Sequence, residues 1–137
     1  MVEAAMSNRH ILTFTALPEH IDVMGHVNNA VWVQWMEAIA TAHWEADAAP
    51  EHVAAYAWVV TRHEIDYRGN IAEGESVSAE TFIPDPPNGV RFDRRVDFRQ
   101  AGGKVIVSAR STWVMVSRET GRVLRIPGEV AAPFLPG

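Results

Sequence analysis

The residues best suited to chemistry are concentrated in one stretch, residues 22–29. It combines a carboxylate (Asp22), a glycine (Gly25), an imidazole (His26) and two amides (Asn28 and Asn29). Directly behind it, a long amphipathic run predicts a helix. The first backbone N–H groups of a helix lack partners within the helix, so a polar loop leading into one can polarise an oxygen atom. The stretch therefore indicates a site that stabilises negative charge on an oxygen.

A purely structural interpretation is also open, in which Asp22 caps a turn, Gly25 supplies a positive φ and the asparagines cap the helix. Three features favour a functional role for this stretch over a purely structural one. Val23 and Met24 lie beside the carboxylate and could desolvate it, which would raise its pKa. The helix behind the loop is the only long one predicted. One asparagine is enough to cap a helix, and here there are two.

The predicted helix covers residues 30–46, with Asn28 as its N-cap. Its apolar side chains recur at three- and four-residue spacing, which predicts one broad buried stripe. Two indoles on that stripe indicate a deep position in the core. The stripe consists of Trp32, Trp35, Met36, Ile39 and His43.

Alternating segments predict strands in the rest of the chain. Within residues 58–68 the alternation places Val59 and Thr61 on the face of His63 and Ile65. Together these elements predict a single α+β domain over residues 1–137, with one long central helix wrapped by a five-stranded, mostly antiparallel sheet. Residues 50–55 form a turn or short helix, and 127–137 an irregular tail. The predicted strands are residues 9–17, 58–68, 76–83, 90–100 and 105–117, followed by a short segment at 123–126.

Composition excludes several classes of function. The net charge of −5 argues against a general nucleic-acid binder, and the chain has no cysteine for disulfides, thiolate sites or a thiol nucleophile. No apolar run reaches the roughly eighteen residues that span a bilayer. Residues 1–9 lack the features of a signal peptide. We expect a cytoplasmic protein that is not bound to a membrane.

The loop and the helix start resemble the signature of the hotdog-fold thioesterases. These are the 4-hydroxybenzoyl-CoA thioesterase-like acyl-CoA hydrolases, with the plant acyl-ACP thioesterases as relatives. The resemblance extends to residues 64–68, 74–77 and 113–122, and it covers about residues 9–127. It implies the hotdog fold. The motif that carries it reads Asp22-x-x-Gly25-His26-Val27-Asn28-Asn29-x-x-Trp32, followed by Trp35-Met36-Glu37.

The resemblance implies hydrolysis of an acyl-CoA thioester to a free acid and CoA. It gives Asp22 the role of nucleophile or general base, between which the sequence does not choose. The helix N-terminus at Asn29 would supply the oxyanion site. His26 would hold a water or orient the carboxylate, although a structural role is equally open. Met24 departs from the plant enzymes, which carry an asparagine there, so their full catalytic set is not transferred.

Substrate contacts are expected from Gly25, Asn28 and Trp32, with the acyl chain in a tunnel beside Trp32, Trp35 and Met36. Arg68 and Arg91 are candidates for the phosphates of CoA. We expect no metal, because the histidines near the helix lack the compact spacing of a metal site. No cofactor is expected beyond CoA as part of the substrate.

Four other titratable residues are weaker candidates for the functional site. Glu37 and His43 fit packing or interface roles, and His63 fits a hydrogen-bonded core histidine. Arg94 lies on an apolar strand face, which is unusual unless it pairs with an acid or projects into an interface.

Two alternatives remain open beside the acyl-CoA thioesterase: a non-catalytic acyl-CoA-binding protein, and a hotdog dehydratase or hydratase acting on acyl thioesters. The resemblance also implies a homodimer or a dimer of dimers, and the last apolar strands are expected to leave a free edge for pairing. The acyl group, the choice of CoA or acyl carrier protein, and any residues from a partner chain remain open.

Overall fold

The computed structural model describes residues 8–136, so residues 1–7, on which the expected absence of a signal peptide largely rests, lie outside it. One long helix packs on an antiparallel sheet. The strands are β1 (Arg9–Thr15), β2 (Tyr56–Tyr67), β3 (Ser76–Phe82), β4 (Arg91–Arg99), β5 (Val105–Ser117) and β6 (Val123–Leu124). The helices are α1 (Asn29–Asp47), α2 (Pro50–Ala55) and α3 (Gly128–Ala131), with 3-10 turns at Pro18–His20 and Ala132–Phe134.

The main sheet has the order β1-β3-β4-β5-β2, and every pair in it is antiparallel. The two-residue strand β6 pairs with β5 just beyond the end of β4. The predicted five-stranded sheet around one long helix is therefore confirmed. The expectation that the last apolar strands form a free edge is wrong, because β5 is hydrogen-bonded on both sides. Among residues 8–136, the free edges of the main sheet belong to β1 and β2.

Helix α1 buries the stripe that its spacing predicts. Trp32 and Ile39 are fully buried, and Met36 is nearly so. The Trp32 ring meets Trp35 edge-on at 5.1 Å and Phe98 of β4 at 5.0 Å, an arrangement that aromatic quadrupoles favour. Within residues 8–136, no helix has both the length and the apolar character that a bilayer crossing needs.

A β-bulge in β2 changes which residues face the helix. The register with β5 shifts between Val60 and Arg62, so that Thr61 has no cross-strand partner. One extra residue reverses the side-chain alternation beyond it. Val59 is consequently 47% exposed, whereas His63 faces the helix. The predicted common face of Val59, Thr61, His63 and Ile65 is therefore wrong.

The C-terminal segment is more ordered than the predicted irregular tail. Pro127 is the N-cap residue of α3, and Pro133 lies in the first turn of the following 3-10 helix, where the missing N–H costs nothing. Val130 and Phe134 are buried in a second apolar cluster. Because these side chains are buried, the segment folds into two short helical turns. Pro127 and Pro133 lie at the starts of those turns.

A row of polar side chains crosses the sheet beneath the second half of α1. Arg94 of β4 is buried, and its Nη1 donates to His43 Nδ1 at 2.8 Å and to Thr81 Oγ1 at 3.0 Å. Because a guanidinium only donates, His43 Nδ1 carries no proton. His43 Nε2 lies 3.3 Å from the Asp47 carboxylate, but the ring is not aligned for a hydrogen bond.

His63 continues this row toward β2. Its Nδ1 lies 2.6 Å from the hydroxyl of the buried Ser111, and its Nε2 lies 3.5 Å from the Glu37 carboxylate on α1. The Nδ1 contact agrees with the expected hydrogen-bonded core histidine, whereas the buried Nε2 has no hydrogen-bond partner in the described part of the chain. The half-exposed Glu37 connects α1 to this strand only through that 3.5 Å contact.

Acid should destabilise the protein through His43. Burial, reinforced by the Arg94 charge, lowers the pKa of His43 from its ordinary 6.5 to about 4. Between these two values the unfolded chain binds a proton that the native chain does not. The free energy of unfolding should therefore fall as the pH drops from 6.5 toward 4, by up to about 1.4 kcal/mol per pH unit. Urea unfolding at a series of pH values measures this slope.

The matched control is His43→Gln, which keeps an acceptor for Arg94 and does not titrate. Its unfolding free energy should depend less steeply on pH in this window. Equal slopes for the two proteins would contradict the assignment. His10, which stacks on His43 at 5.4 Å, is present in both proteins.

Candidate active site

The loop before α1 is closed at its base like a small hairpin. Ile21 and Val27 form an antiparallel bridge. Within it, the Asp22 N–H donates to the His26 carbonyl at 2.8 Å, and the Gly25 N–H donates to the Asp22 carbonyl at 3.1 Å. Gly25 has a φ of +80°, and a Cβ there would meet nothing within 4 Å. The glycine is therefore required by backbone conformation and not by space.

Asp22 is held by its own loop through one oxygen. Its Oδ1 accepts from the backbone N–H of Met24 at 2.9 Å and of His26 at 3.2 Å. Within residues 8–136 its Oδ2 has no hydrogen-bond or ion-pair partner. The turn-capping role that the structural interpretation assigned to Asp22 is thus present. The carboxylate nevertheless keeps one oxygen at a fixed place for chemistry.

Val23 and Met24 do not shield this carboxylate in the single chain. Val23 is fully exposed, and Met24 is 75% exposed. The backbone bonds to Asp22 Oδ1 turn the intervening side chains outward. The expectation that this apolar pair desolvates Asp22 is wrong for the isolated chain, in which the loop instead presents two neighbouring apolar side chains to solvent.

The helix start leaves one backbone donor free. Asn28 is the N-cap as predicted, and its Oδ1 accepts from the Ala30 N–H at 2.9 Å. The Asn28 N–H donates to the His20 carbonyl at 2.9 Å. The N–H of Asn29, the first helical residue, has no acceptor in the described part of the chain. It therefore remains available to a ligand oxygen at the positive end of the helix dipole.

Asn70, in the connection between β2 and β3, holds the end of the loop in place, and the sequence did not single it out. Its Oδ1 accepts from the Val27 N–H at 3.1 Å, and its Nδ2 donates to the Val27 carbonyl at 3.1 Å. Oδ1 also accepts from the Ile71 N–H at 2.8 Å. Gly69-Asn70 looks in sequence like an ordinary turn. The only signal was that an asparagine has the donor and acceptor that such a two-way clamp needs.

Tyr67 also lies at this end of the molecule. Its hydroxyl donates to the Asn29 carbonyl at 3.3 Å, and partial burial raises the pKa of Tyr67. It connects the end of the edge strand β2 to the helix start. The phenol is therefore a further polar group beside the candidate site.

The other predicted site residues are only partly brought together. The His26 imidazole is exposed, and among residues 8–136 it makes no hydrogen bond or ion pair; only its backbone N–H touches Asp22. Arg68 follows β2 near the site and pairs with Asp66 at 3.6 Å. Arg91 opposes Val114, seven residues along β5 from the partner of Tyr67, a separation of about 24 Å. Within one chain, Arg68 and Arg91 cannot hold the same phosphate.

The space beside Trp32, Trp35 and Met36 is filled. Phe14 stacks on Trp35 at 5.2 Å, and Phe98 closes on Trp32. The expected acyl tunnel is therefore absent at that place in the described chain. A cavity of about 190 Å³ lies instead beside the second half of α1. An open groove of about 490 Å³ borders the Asn70 clamp, lined in part by Glu75 and Gln100.

Two solved structures share this architecture. A hypothetical protein of Staphylococcus aureus, solved in complex with CoA, superposes with a TM-score of 0.80 at 14% identity, covering 96% of this chain and 89% of that one. An acyl-ACP thioesterase of Bacteroides thetaiotaomicron superposes with a TM-score of 0.79 at 23% identity, covering 94% of this chain and 54% of that one. These similarities establish the hotdog fold.

Sequence comparison leads to the same group. A chloroplastic acyl-[acyl-carrier-protein] hydrolase of Cuphea viscosissima is 28% identical over 80 residues, which are 58% of this chain and 19% of that protein. The chain thus spans about a fifth of the length of the curated relatives it matches. The profile of the thioesterase-like superfamily matches residues 16–134, which include the Asp22 loop, α1 and the whole of strands β2 to β6. The chain belongs to the thioesterase-like superfamily.

Proposed function

We propose that this protein hydrolyses acyl-CoA thioesters, with Asp22 as the catalytic carboxylate and the Asn29 N–H as an oxyanion donor. The observation that carries the proposal is that both groups lie in one short segment held by local hydrogen bonds. Asp22 is fixed through Oδ1 and offers Oδ2, and a few residues later the helix offers the Asn29 N–H, which has no acceptor among residues 8–136. A base or nucleophile beside a preorganised donor is what acyl transfer requires.

The reaction begins by adding an oxygen nucleophile to the thioester carbonyl. Negative charge then develops on the carbonyl oxygen, where a backbone donor at a helix N-terminus stabilises it, typically by about 10²–10³ in rate. Collapse of the tetrahedral intermediate breaks the C–S bond. The CoA thiolate leaves and is protonated, and the acyl group becomes a free carboxylic acid.

Asp22 Oδ2 fits either of two roles in the first step. As general base it would accept a proton from the attacking water. As nucleophile it would form a mixed anhydride that water then cleaves. The Oδ1 bonds support both roles, because they fix the carboxylate plane without occupying Oδ2. The exposed His26 imidazole is positioned to contact a water or substrate, and Gly25, Asn28 and Arg68 border the same loop.

The carrier of the acyl group is proposed to be CoA. The similarity to a structure holding CoA supports this choice, whereas the plant relative acts on acyl carrier protein. Arg68 lies at the correct end of β2 to meet a CoA phosphate; Arg91 would have to act from another chain. The absence of a metal or cofactor and a cytoplasmic location stay predictions from sequence.

Replacing Asp22 by asparagine should abolish most of the activity without unfolding the loop. The amide oxygen can still accept from the Met24 and His26 N–H groups, but the group no longer acts as a base. We expect thiol release from a panel of aromatic and aliphatic acyl-CoAs to fall by about 10²–10⁴-fold in kcat/KM. The thermal midpoint should stay near that of the wild type.

Glu19→Gln is the matched control, because Glu19 is an exposed carboxylate three residues before Asp22. Its activity should equal that of the wild type. Tight acyl-CoA binding without thiol release would favour the non-catalytic alternative, and water addition to an enoyl-CoA would favour a hydratase. Activity on acyl-ACP alone would retain the mechanism and correct the carrier.

We also propose that the protein forms a homodimer through the free edge of β2. This edge strand is twelve residues long, against seven for β1. Val59 and Tyr67 of β2 are 47% and 40% exposed, and the outward-facing Val23 and Met24 add apolar surface near the end of the strand. A long edge with exposed apolar side chains is normally covered. Dimers could pair further into tetramers.

Hydrogen exchange distinguishes this dimer from a monomer. In a β2–β2 dimer the edge amides of β2 gain partners and should exchange slowly, whereas the edge amides of β1 should exchange fast and serve as an internal control. Light scattering during size exclusion should give the mass of two chains or a multiple of it. A monomer mass, or protection at β1 and not β2, would contradict the proposed interface.

A further inference from the structure

The cavity beside the second half of α1 is built differently from the rest of the core. Its walls include the indoles of Trp44, Trp58 and Trp113, together with Phe92 and Phe134. Arg94 lies among these apolar walls with only 8% of its surface exposed. The cavity therefore combines aromatic walls with a buried cation.

Arg94 lacks a counter-charge. The sequence suggested that it would pair with an acid or project into an interface, and in the single chain it does neither. Among residues 8–136 no carboxylate comes within 4.0 Å of it, and its Nη1 bonds only neutral partners, His43 and Thr81. Burial lowers the pKa of Arg94 to about 10, so the guanidinium stays charged at neutral pH. A buried charge without a counter-charge destabilises the fold unless a ligand compensates it.

The neighbouring indoles add further unsatisfied donors. The Nε1 groups of Trp44, Trp58 and Trp113 are all buried, and none has an acceptor in the described part of the chain. Indole nitrogens only donate. These indole nitrogens are themselves covered, so the polar group that the cavity offers is the buried cation Arg94, with Arg118 and Glu45 at its border. The buried positive charge of Arg94 is what an anion would satisfy.

The cavity is also accessible and of limited size. The side chains of Thr41, Glu45 and Arg118 at its border are exposed. Its volume of about 190 Å³ is close to that of an engineered apolar cavity of about 150 Å³ that holds benzene. A ligand body of about one ring, or a short alkyl chain, fits this space.

We propose that this cavity binds a small organic carboxylate, with the carboxylate on the Arg94 guanidinium and the hydrocarbon body between the indoles. A carboxylate matches the planar fork of arginine, so the pair supplies both charge and bidentate hydrogen bonds. The site begins at Ala40, about 17 Å along α1 from Asn29. It is separate from the Asp22 loop and does not depend on thioester hydrolysis.

Calorimetry on the full chain tests the proposal with phenylacetate, benzoate and hexanoate against their neutral amides. Because hydrogen bonds to charged groups contribute about 1.5–3 kcal/mol, at least one acid should bind about tenfold or more tightly than its amide. Tryptophan fluorescence should change on the same titration. Absence of saturable binding, or equal binding of acid and amide, would overturn the proposal.

Variants locate the site. Arg94→Met should abolish the preference for acids, whereas Arg95→Met, one residue along β4 and on its other face, should retain it. If Arg94→Met does not fold, Ala40→Leu narrows the cavity from the helix side and should weaken binding at least tenfold. Asp22→Asn should bind like the wild type. Retained acid preference in Arg94→Met, or undiminished binding in Ala40→Leu, would place the ligand elsewhere and overturn the proposal.

Glu45 is an acid at the border of the cavity. A further variant tests whether Glu45 is already the counter-ion of Arg94. Glu45→Gln should leave the unfolding midpoint unchanged and carboxylate binding as tight as or tighter than before. A loss of stability in this variant as large as that in Arg94→Met would identify Glu45 as the counter-ion and overturn the proposal.

Discussion

The indole-bearing face of α1 and the sheet beneath it hold each other in place, and the positions of both ends of the helix follow from that contact. Trp32 and Trp35 are packed between Phe14 of β1 and Phe98 of β4, so the helix touches strands from different parts of the chain. Large aromatic side chains bury the most apolar area per residue and pack in few orientations. The helix can therefore neither rotate nor slide without opening the core.

Because the helix is fixed, the position of the loop that precedes it is well defined. The Asn70 clamp attaches Val27 to the connection between β2 and β3, while the Asn28 cap attaches the loop to the helix. Before these anchors, the Ile21–Val27 bridge closes the loop, and two backbone N–H groups hold the Asp22 carboxylate. A functional carboxylate on a loop is normally placed less precisely than one on a helix or strand. Here the bridge and the backbone bonds tie the loop to the scaffold.

Much of the fold could be predicted from the sequence because its signals are local. The stripe from Trp32 to His43, the Asn28 cap and the limits of β5 each depend on the spacing of neighbouring residues. What could not be predicted depends on tertiary geometry. The bulge at Thr61 does not change the pattern of residue types before it, so it could not be predicted. The identity of the edge strands depends on which strands pair, which local spacing does not reveal.

The candidate site shows the same division between features set by local sequence and features set by tertiary contacts. Asp22 and Asn29 could be proposed from spacing and resemblance, because both lie in one short motif. Asn70 could not, since its role arises only when a distant turn meets Val27. The outward direction of Val23 and Met24 was also invisible in sequence, because it depends on how the loop closes against Val27. Arg94 was recognised as unusual, but only the structure shows that its partners are neutral.

The two ends of α1 differ in what they offer an anion. At the N-terminus the donor is a backbone N–H that favours charge as it develops, beside a carboxylate that would repel a permanent anion. At the other end Arg94 is a full cation surrounded by apolar walls, which favours a charge that is already present. A free acid would thus be disfavoured beside Asp22 and favoured beside Arg94. About 17 Å of helix lies between them, roughly twice the screening length of about 8 Å in physiological salt, so each site would act on the charge of its own ligand with little influence from the other.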